Sequence, residues 1–460
     1  MARWIPDEPG EEAALLQALG ISSTDELFTD VPKRARIGRM GVGPAKTERE
    51  VVAEVDRILG RNRTLSEFSS FLGGRVSSRY SPAAVDAIVS RSEFYTAYTP
   101  YQAEASQGVL RVLFEFQSLW VEMTGLDVAN ASLYDGASAA GEALLFARRL
   151  HEGERFLVPE SLPWEERSVL ENYASGPGLR VEGIPYDDRT GRLDLEFVRN
   201  AVAKKDVFGL LADVPNGFGH IDEGIPELKS ILGDVPLVVA ADPLSLSVLE
   251  APGAYGADVV VAEGQGFGIS PSFGGPLLGL FACRREHARS APGRIVGATL
   301  DTEGRRAFCL TLTTREQHIR RSRATSNICT NDSLMALAFV VYASVVGPRG
   351  LARLQASLAE KARTLASALG SVEGLRAPRF DAPYLADFTV EVARGTADEF
   401  LDRLRRRKVL GGHSLRNPRP GAVQGPERVL VGVGESTTEK DIAKYASAAT
   451  AALAAVGRSA

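Results

Sequence analysis

Lysine is scarce in this chain. There are 9 lysines against 44 arginines in 460 residues, and none between Ala241 and Glu360. Chemistry that needs a primary amine in that span is excluded. Cysteine is scarcer: Cys283, Cys309 and Cys329 are odd in number and widely spaced. That excludes a disulfide framework and any metal-ligand spacing, and fits reduced core thiols in a cytosolic protein. A basic surplus is absent too. Net charge is -5, so a nucleic-acid footprint is not expected. The longest apolar run, Leu334 to Val346, is too short to span a bilayer. The opening MARWIPDEPGEEAALL has no apolar signal core. These readings predict a cytoplasmic protein with no membrane segment. The length admits one large domain and a smaller one.

What is present is organised around Ala240 to Gly274, AADPLSLSVLEAPGAYGADVVVAEGQGFGISPSFG. The apolar runs Val235 to Ala241 and Ala257 to Val261 are continuous, as buried parallel strands are. One ends at Asp242, the other in a Gly-rich turn. Ligands of open α/β sheets gather at such strand ends. An aspartate at one strand end and a Gly-rich turn about two dozen residues later is the layout of the aspartate-aminotransferase-like fold of pyridoxal-phosphate enzymes. There the aspartate holds the pyridine nitrogen and a lysine in the turn forms the Schiff base. Here Gln265 stands where the lysine is expected.

The flanking sequence predicts three parts. Residues 1–65 read as a polar helical arm that either wraps a partner or caps its own core. Residues 66–370 alternate strand and helix, as a large doubly wound α/β domain with a degenerate cofactor site does. Residues 371–460 read as a small α+β domain. Gly136 and Ser138 open a helix and form an anion cradle or a plain helix cap. Tyr95, Tyr98, Tyr101 and Gln102 crowd a Pro-broken loop that serves either a ligand or a subunit interface. Arg315, Arg320, Arg321 and Arg323, with Gln317 and His318, either pair with acids at a subunit boundary or shape an anionic pocket. His220, just past a strand end, reads as a surface histidine.

Six strings carry a resemblance over nearly the full length: YTAYTPYQ (95–102), NASLYDGA (130–137), DPLSL (242–246), FGGP (273–276), PGRIVG (292–297) and TREQHIRRSRATSNICT (314–330). The chain resembles the P-protein family of the glycine cleavage system, and within it the alpha chain of the two-subunit form. The resemblance implies a type I pyridoxal-phosphate transferase fold. It implies pairing with a homologous lysine-bearing beta subunit, normally as α2β2, with pyridoxal phosphate on that partner. It further implies decarboxylation of glycine and transfer of the aminomethyl group to the lipoyl group of H-protein. Tyr98, Tyr101 and Gln102 are then candidates to reach the partner's site, and this chain alone is inactive.

Several positions depart from the family pattern. RVSSRY (75–80) keeps only Tyr80 of a Tyr-Asp-His-Tyr loop. Leu162 replaces a histidine before Pro163, PNGFG (215–219) has Gly217 for phenylalanine, and GVGE (432–435) has Gly434 for threonine. These changes leave two alternatives beside the ordinary subunit. One is a specialised relative acting on glycine or another amino acid. The other is a purely structural or binding subunit.

Overall fold

The computed structural model describes residues 10–38, 41, 43–419 and 425–454. Met1 to Pro9 of the segment read for a signal core lie outside them, as do Ala455 and Val456 at the end of the run Glu439 to Val456, whose sequence predicts a helix. The chain divides into two units, Met1–Arg63 and Thr64–Ala460.

The first unit is helical. Glu11–Leu19 ends at Gly20 in the left-handed region, as a C-cap glycine does. Glu48–Leu59 begins with a reciprocal capping box between Thr47 and Glu50. No residue of its helices is buried, and Val51, Val52, Val55, Ile58 and Leu59 are exposed.

The second unit holds a seven-stranded sheet. In chain order its strands are β1 (Val128–Ala129), β2 (Arg155–Pro159), β3 (Arg180–Ile184), β4 (Val207–Val214), β5 (Leu237–Ala241), β6 (Val259–Glu263) and β7 (Gly279–Cys283). Their spatial order is β1-β7-β6-β5-β4-β2-β3. The pairs from β3 through to β6 are parallel; β7 runs antiparallel to both neighbours. The run Phe273 to Cys283, FGGPLLGLFAC, predicts a core strand entered through paired glycines, and β7 covers only its second half. Phe273 is 99% exposed on a loop with φ 60°, a backbone that cannot continue a strand.

The strands are apolar throughout because both faces are covered. Val239, Ala241 and Val260 face a core shared with helix Gln107–Thr124 and with Phe339. Val238, Ala240, Val259 and Val261 face the other way, onto Leu144 and Phe146 of helix Gly136–Leu150. The helical spacing of Leu110, Leu113, Phe114, Gln117 and Val121 predicts one buried face; helix Gln107–Thr124 buries Leu110, Leu113, Phe116, Gln117, Trp120 and Thr124, while Phe114 and Val121 are partly buried.

Ser333–Gly370 is long and apolar enough, by length and composition, to cross a membrane. It is broken at Gly347 (φ 67°, ψ 168°) before Pro348, and Ala336–Ala343 of its first half are buried in the core. It leads to an antiparallel four-stranded sheet of Leu375–Arg376, Asp387–Val392, Arg428–Gly432 and His413–Ser414. The run Ser436 to Glu439 predicts a capping box, but the final helix starts instead with Thr438 and Asp441 bonded to each other's N–H groups, three residues apart.

Phe339 fixes the turn after β6 to this frame. It is fully buried and stacks on Phe267 with centroids 4.7 Å apart. Phe339→Ala is expected to lower the unfolding free energy by about 3–5 kcal/mol. Chemical denaturation checks this, with Phe339→Leu costing less than half as much.

Candidate functional site

A cavity of about 100 Å³ opens at the carboxyl ends of the central strands. Asp242 follows β5, Glu263 ends β6, and Asp387 reaches in from the smaller sheet. Arg75 and Arg79 enter on the Gly74–Ser81 loop. Asp242 accepts two long turn bonds, from the N–H groups of Leu244 at 3.3 Å and Ser245 at 3.2 Å. Its own N–H is held by Val214 O at 2.9 Å.

The expected anion cradle is occupied by the protein itself. Asp135 caps helix Gly136–Leu150, accepting from Ser138 N–H at 2.7 Å and from Ser138 Oγ at 2.9 Å. Gly136 N–H donates to Glu263 Oε2 at 2.9 Å. The other oxygen, Oε1, accepts from Gln265 N–H at 2.9 Å and Leu278 N–H at 3.0 Å. A helix N-terminus attracts an anion, and here two carboxylates satisfy it. Burial pushes Glu263 up to about 7, against the pull of its three N–H donors. A phosphate would have to displace one carboxylate and sit beside another, so the cradle does not fit a cofactor phosphate.

Gln265 is fully buried. Its Oε1 accepts from Ser77 N–H at 3.0 Å, and its Nε2 donates to Ile269 O. The amide therefore ties the Gly74–Ser81 loop to the turn after β6, with both ends used. The same loop is fastened by Gly74 N–H to Asp387 Oδ2 at 2.8 Å and by Ser81 Oγ to Gly268 O at 3.3 Å. Arg75 pairs with Glu166 and lies 3.7 Å from Asp213. Burial drives Asp213 up to about 7 although Arg75 pulls it down; burial likewise lifts Asp387 to about 6.

The remaining candidates lie elsewhere. Tyr98 and Tyr101 are 74% and 60% exposed, Gln102 is exposed, and none lines the cavity. Arg294, which the sequence reading passed over, organises this loop. It is 3% exposed, donates to Thr99 Oγ1 at 3.3 Å and to Tyr101 OH at 3.2 Å, and sits over the Tyr101 ring. Tyr98 OH meets Thr330 Oγ1 at 3.4 Å. The basic cluster does not hold together. Arg315 is buried and bonded to the carbonyls of Leu312, Ala291 and Gly293, so it braces backbone. His318, Arg320, Arg321 and Arg323 are exposed. His220 is not at the surface: it is buried edge-on to Phe380 and Tyr384, and burial lowers it to about 4.

The family model for the glycine cleavage system P-protein matches residues 2–448. The chain belongs to this family. It is 40% identical to a probable glycine dehydrogenase (decarboxylating) subunit 1 of Chlorobium chlorochromatii, over 97% of this chain and 99% of that one. A protein of the same name in Pyrococcus abyssi is 42% identical over 89% and 91%. A crystal structure of glycine decarboxylase (P-protein) of the glycine cleavage system, in inhibitor-bound form, superposes with a TM-score of 0.87 at 35% identity, covering 98% of this chain and 100% of that one. A sphingosine-1-phosphate lyase of Burkholderia pseudomallei shares the fold, with a TM-score of 0.63 at 17% identity over 93% and 96%. The fold is thus that of the pyridoxal-phosphate enzymes of the aspartate-aminotransferase-like class.

Among P-proteins, two departures of this chain have a steric reading. A Cβ at Gly217 would come 2.0 Å from Ser161 O and 2.9 Å from Pro163, so no side chain fits there. Leu162 is buried in the core cluster beyond the sheet. At Gly434 a Cβ would meet only Ser78 O, at 3.6 Å, and nothing in the structure explains that change.

The cradle has a pH signature. Glu263 is raised in the fold from the ordinary 4.5 to about 7. Its contribution to stability is full below about pH 4.5 and is lost as pH rises through 7. The slope from this one group reaches about -1.4 kcal/mol per pH unit. In Glu263→Gln, the decline of unfolding free energy between those pH values should be shallower. An unchanged slope in denaturant titrations across the range would remove the group from the linkage.

Proposed function

We propose that this chain is the alpha subunit of a glycine decarboxylase, lacking the Schiff-base lysine and paired with a lysine-bearing homologous beta subunit as α2β2. The observation that carries the reading is Gln265: a buried amide, bonded at both ends, stands where the amine would be. The filled cradle supports it, as does the end-to-end likeness to proteins named subunit 1. On this reading pyridoxal phosphate belongs to the partner, where it supplies the electron sink for loss of carbon dioxide. The aminomethyl group then passes to a lipoylated carrier of the H-protein type, in the cytoplasm.

This chain's part is a shaped surface. Tyr98, Tyr101 and Gln102 point outward, and Arg294 fixes Tyr101 from behind. Within the second unit, residues 66–370 serve as the large domain and 371–460 as the small one. The exposed apolar face of Glu48–Leu59 suits a helical arm that lies on the partner.

Two experiments test the assignment. Borohydride reduction of the purified chain with pyridoxal phosphate, followed by peptide mapping, should give no pyridoxyl-lysine in the folded core. Co-expression with the lysine-bearing homologue of the same genome should give a stable heterotetramer that exchanges labelled carbon dioxide into glycine. A chain that stays monomeric beside that homologue contradicts the proposal. If the complex assembles but is silent on glycine, related small amino acids identify the specialised alternative.

The aromatic loop gives a graded expectation. Tyr101→Phe removes a hydroxyl that accepts from a buried guanidinium, a loss of about 1–3 kcal/mol. If the loop serves the partner's chemistry, the exchange rate falls roughly five- to a hundred-fold. Tyr98→Phe gives up only a 3.4 Å contact and should cost less. Full exchange activity in both variants, with assembly intact, would assign the loop to packing alone.

A further inference from the structure

Arg294 is a buried cation whose contacts come from segments far apart in the sequence. Nη2 donates to Tyr101 OH at 3.2 Å, and Nη1 to Thr99 Oγ1 at 3.3 Å and to Asn331 Oδ1 at 3.5 Å. The acid paired with it is Glu316, whose Oε2 lies 3.6 Å from Nε and whose side chain is 11% exposed. The two make an ion pair without a hydrogen bond, since Nε and Glu316 Oε1 are buried and unbonded. Helix Gln317–Arg320 starts on Glu316, whose carbonyl takes the N–H groups of Ile319 and Arg320. Asn331 gives its own amide N–H to Ala131 O and Ser333 Oγ, each at 3.1 Å. Thr99 and Asn331 also line an open cleft of about 290 Å³ beside Tyr98 and Thr330. One guanidinium therefore sets the aromatic loop, residues 316–331 and two walls of the cleft relative to one another.

Stability alone does not account for such a group. All of its contacts are longer than the roughly 2.7–2.9 Å of a good charged hydrogen bond. A buried ion pair returns in attraction little more than its desolvation costs, and apolar side chains of similar size would hold a core as well. What they could not do is reach a hydroxyl and a phenol on one loop and an amide and a carboxylate on another. A planar guanidinium does this. It also orients the phenol. Tyr101 OH accepts from Nη2, so its own proton is free for a group on the exposed side.

We propose that Arg294 and Glu316 are a positioning pair. They couple the aromatic loop to residues 316–331, and so set the turnover of the partner's reaction without touching its substrate. The effect on turnover rests on the alpha-subunit reading above; the coupling itself belongs to this chain alone.

The test uses the assembled complex and the full-length chain by itself. Arg294→Met combined with Glu316→Gln removes both charges and leaves no ion buried alone. In the complex, kcat for exchange of labelled carbon dioxide into glycine should fall about tenfold, with KM for glycine within about twofold. Assembly should be unchanged. Arg294→Lys keeps a charge for Glu316 but lacks the fork, and should not restore the rate. Adding Tyr101→Phe to the paired variant should cost less than about twofold more, because the phenol has already lost its donor. In the chain by itself, amide hydrogen exchange of residues 95–102 and 317–331 should quicken together, by about tenfold, in the paired variant. Full turnover in the paired variant or in Arg294→Lys, a full additional loss from Tyr101→Phe, or amide exchange unmoved in either segment would overturn the proposal. A wild-type complex that does not assemble or exchange overturns the alpha-subunit reading instead, and amide exchange in the chain by itself still decides the coupling.

Discussion

One carboxylate joins the parts of the candidate site. Glu263, at the end of β6, takes N–H groups from the first turn of a helix, from the turn that follows its own strand, and from Leu278 just before β7. Only the helix start is distant in sequence, 127 positions away, but each of the three segments would expose an unsatisfied donor without this side chain. The bonds also set the turn in which Gln265 is buried, and the Gln265 side chain in turn fixes the Gly74–Ser81 loop. The cavity wall is therefore a chain of dependences that begins at a single side chain. The helix end and the N–H donors offset part of its desolvation, and burial still outweighs them, which is why the carboxyl is raised to about 7.

A second ionic set governs the other wall. Arg75 brings a cation to Glu166, on helix Trp164–Ser175, and to Asp213, near the carboxyl end of β4. Arg379 and Arg428 do the same farther out, sharing Asp188 and Glu391 and flanking the ring of Phe380. That arrangement joins the small sheet to the loop after β3, because Asp188 comes from that loop. Arginine suits such places: its planar fork reaches two acids at once and stacks on an aromatic face.

The sheet was readable in the sequence because both its faces are buried, which makes Leu237–Ala241 and Val259–Glu263 unbroken apolar runs. The positions of Asp242 and Gln265 followed from where those runs end. What local pattern could not show is which partner a polar side chain finds. Arg315 looks like its exposed neighbours, yet backbone carbonyls from two segments draw it inside. Arg294 sits in an ordinary PGRIVG string, and only the fold brings Thr99 and Tyr101 to it. His220 follows a strand like many surface histidines, but the ring of Phe380, about 160 positions on, closes over it. β7 starts later than its apolar run because Gly274 and Gly275, both at positive φ, form a loop as readily as a strand entry.

The doubly bonded amide of Gln265 also bears on how such a subunit can change over generations. A single Gln265→Lys substitution would place an ammonium among groups arranged for an amide, losing the bond from Ser77 and burying an unpaired charge. It would gain no anion site in return, since Glu263 and Asp135 would still fill the helix N-terminus at Gly136. Removing Glu263 first would strand three N–H donors while the amine was still missing. Each single step back toward a cofactor enzyme is thus a loss, and only coordinated replacement of both positions escapes it. The geometry works as a ratchet that holds this chain in its lysine-free form.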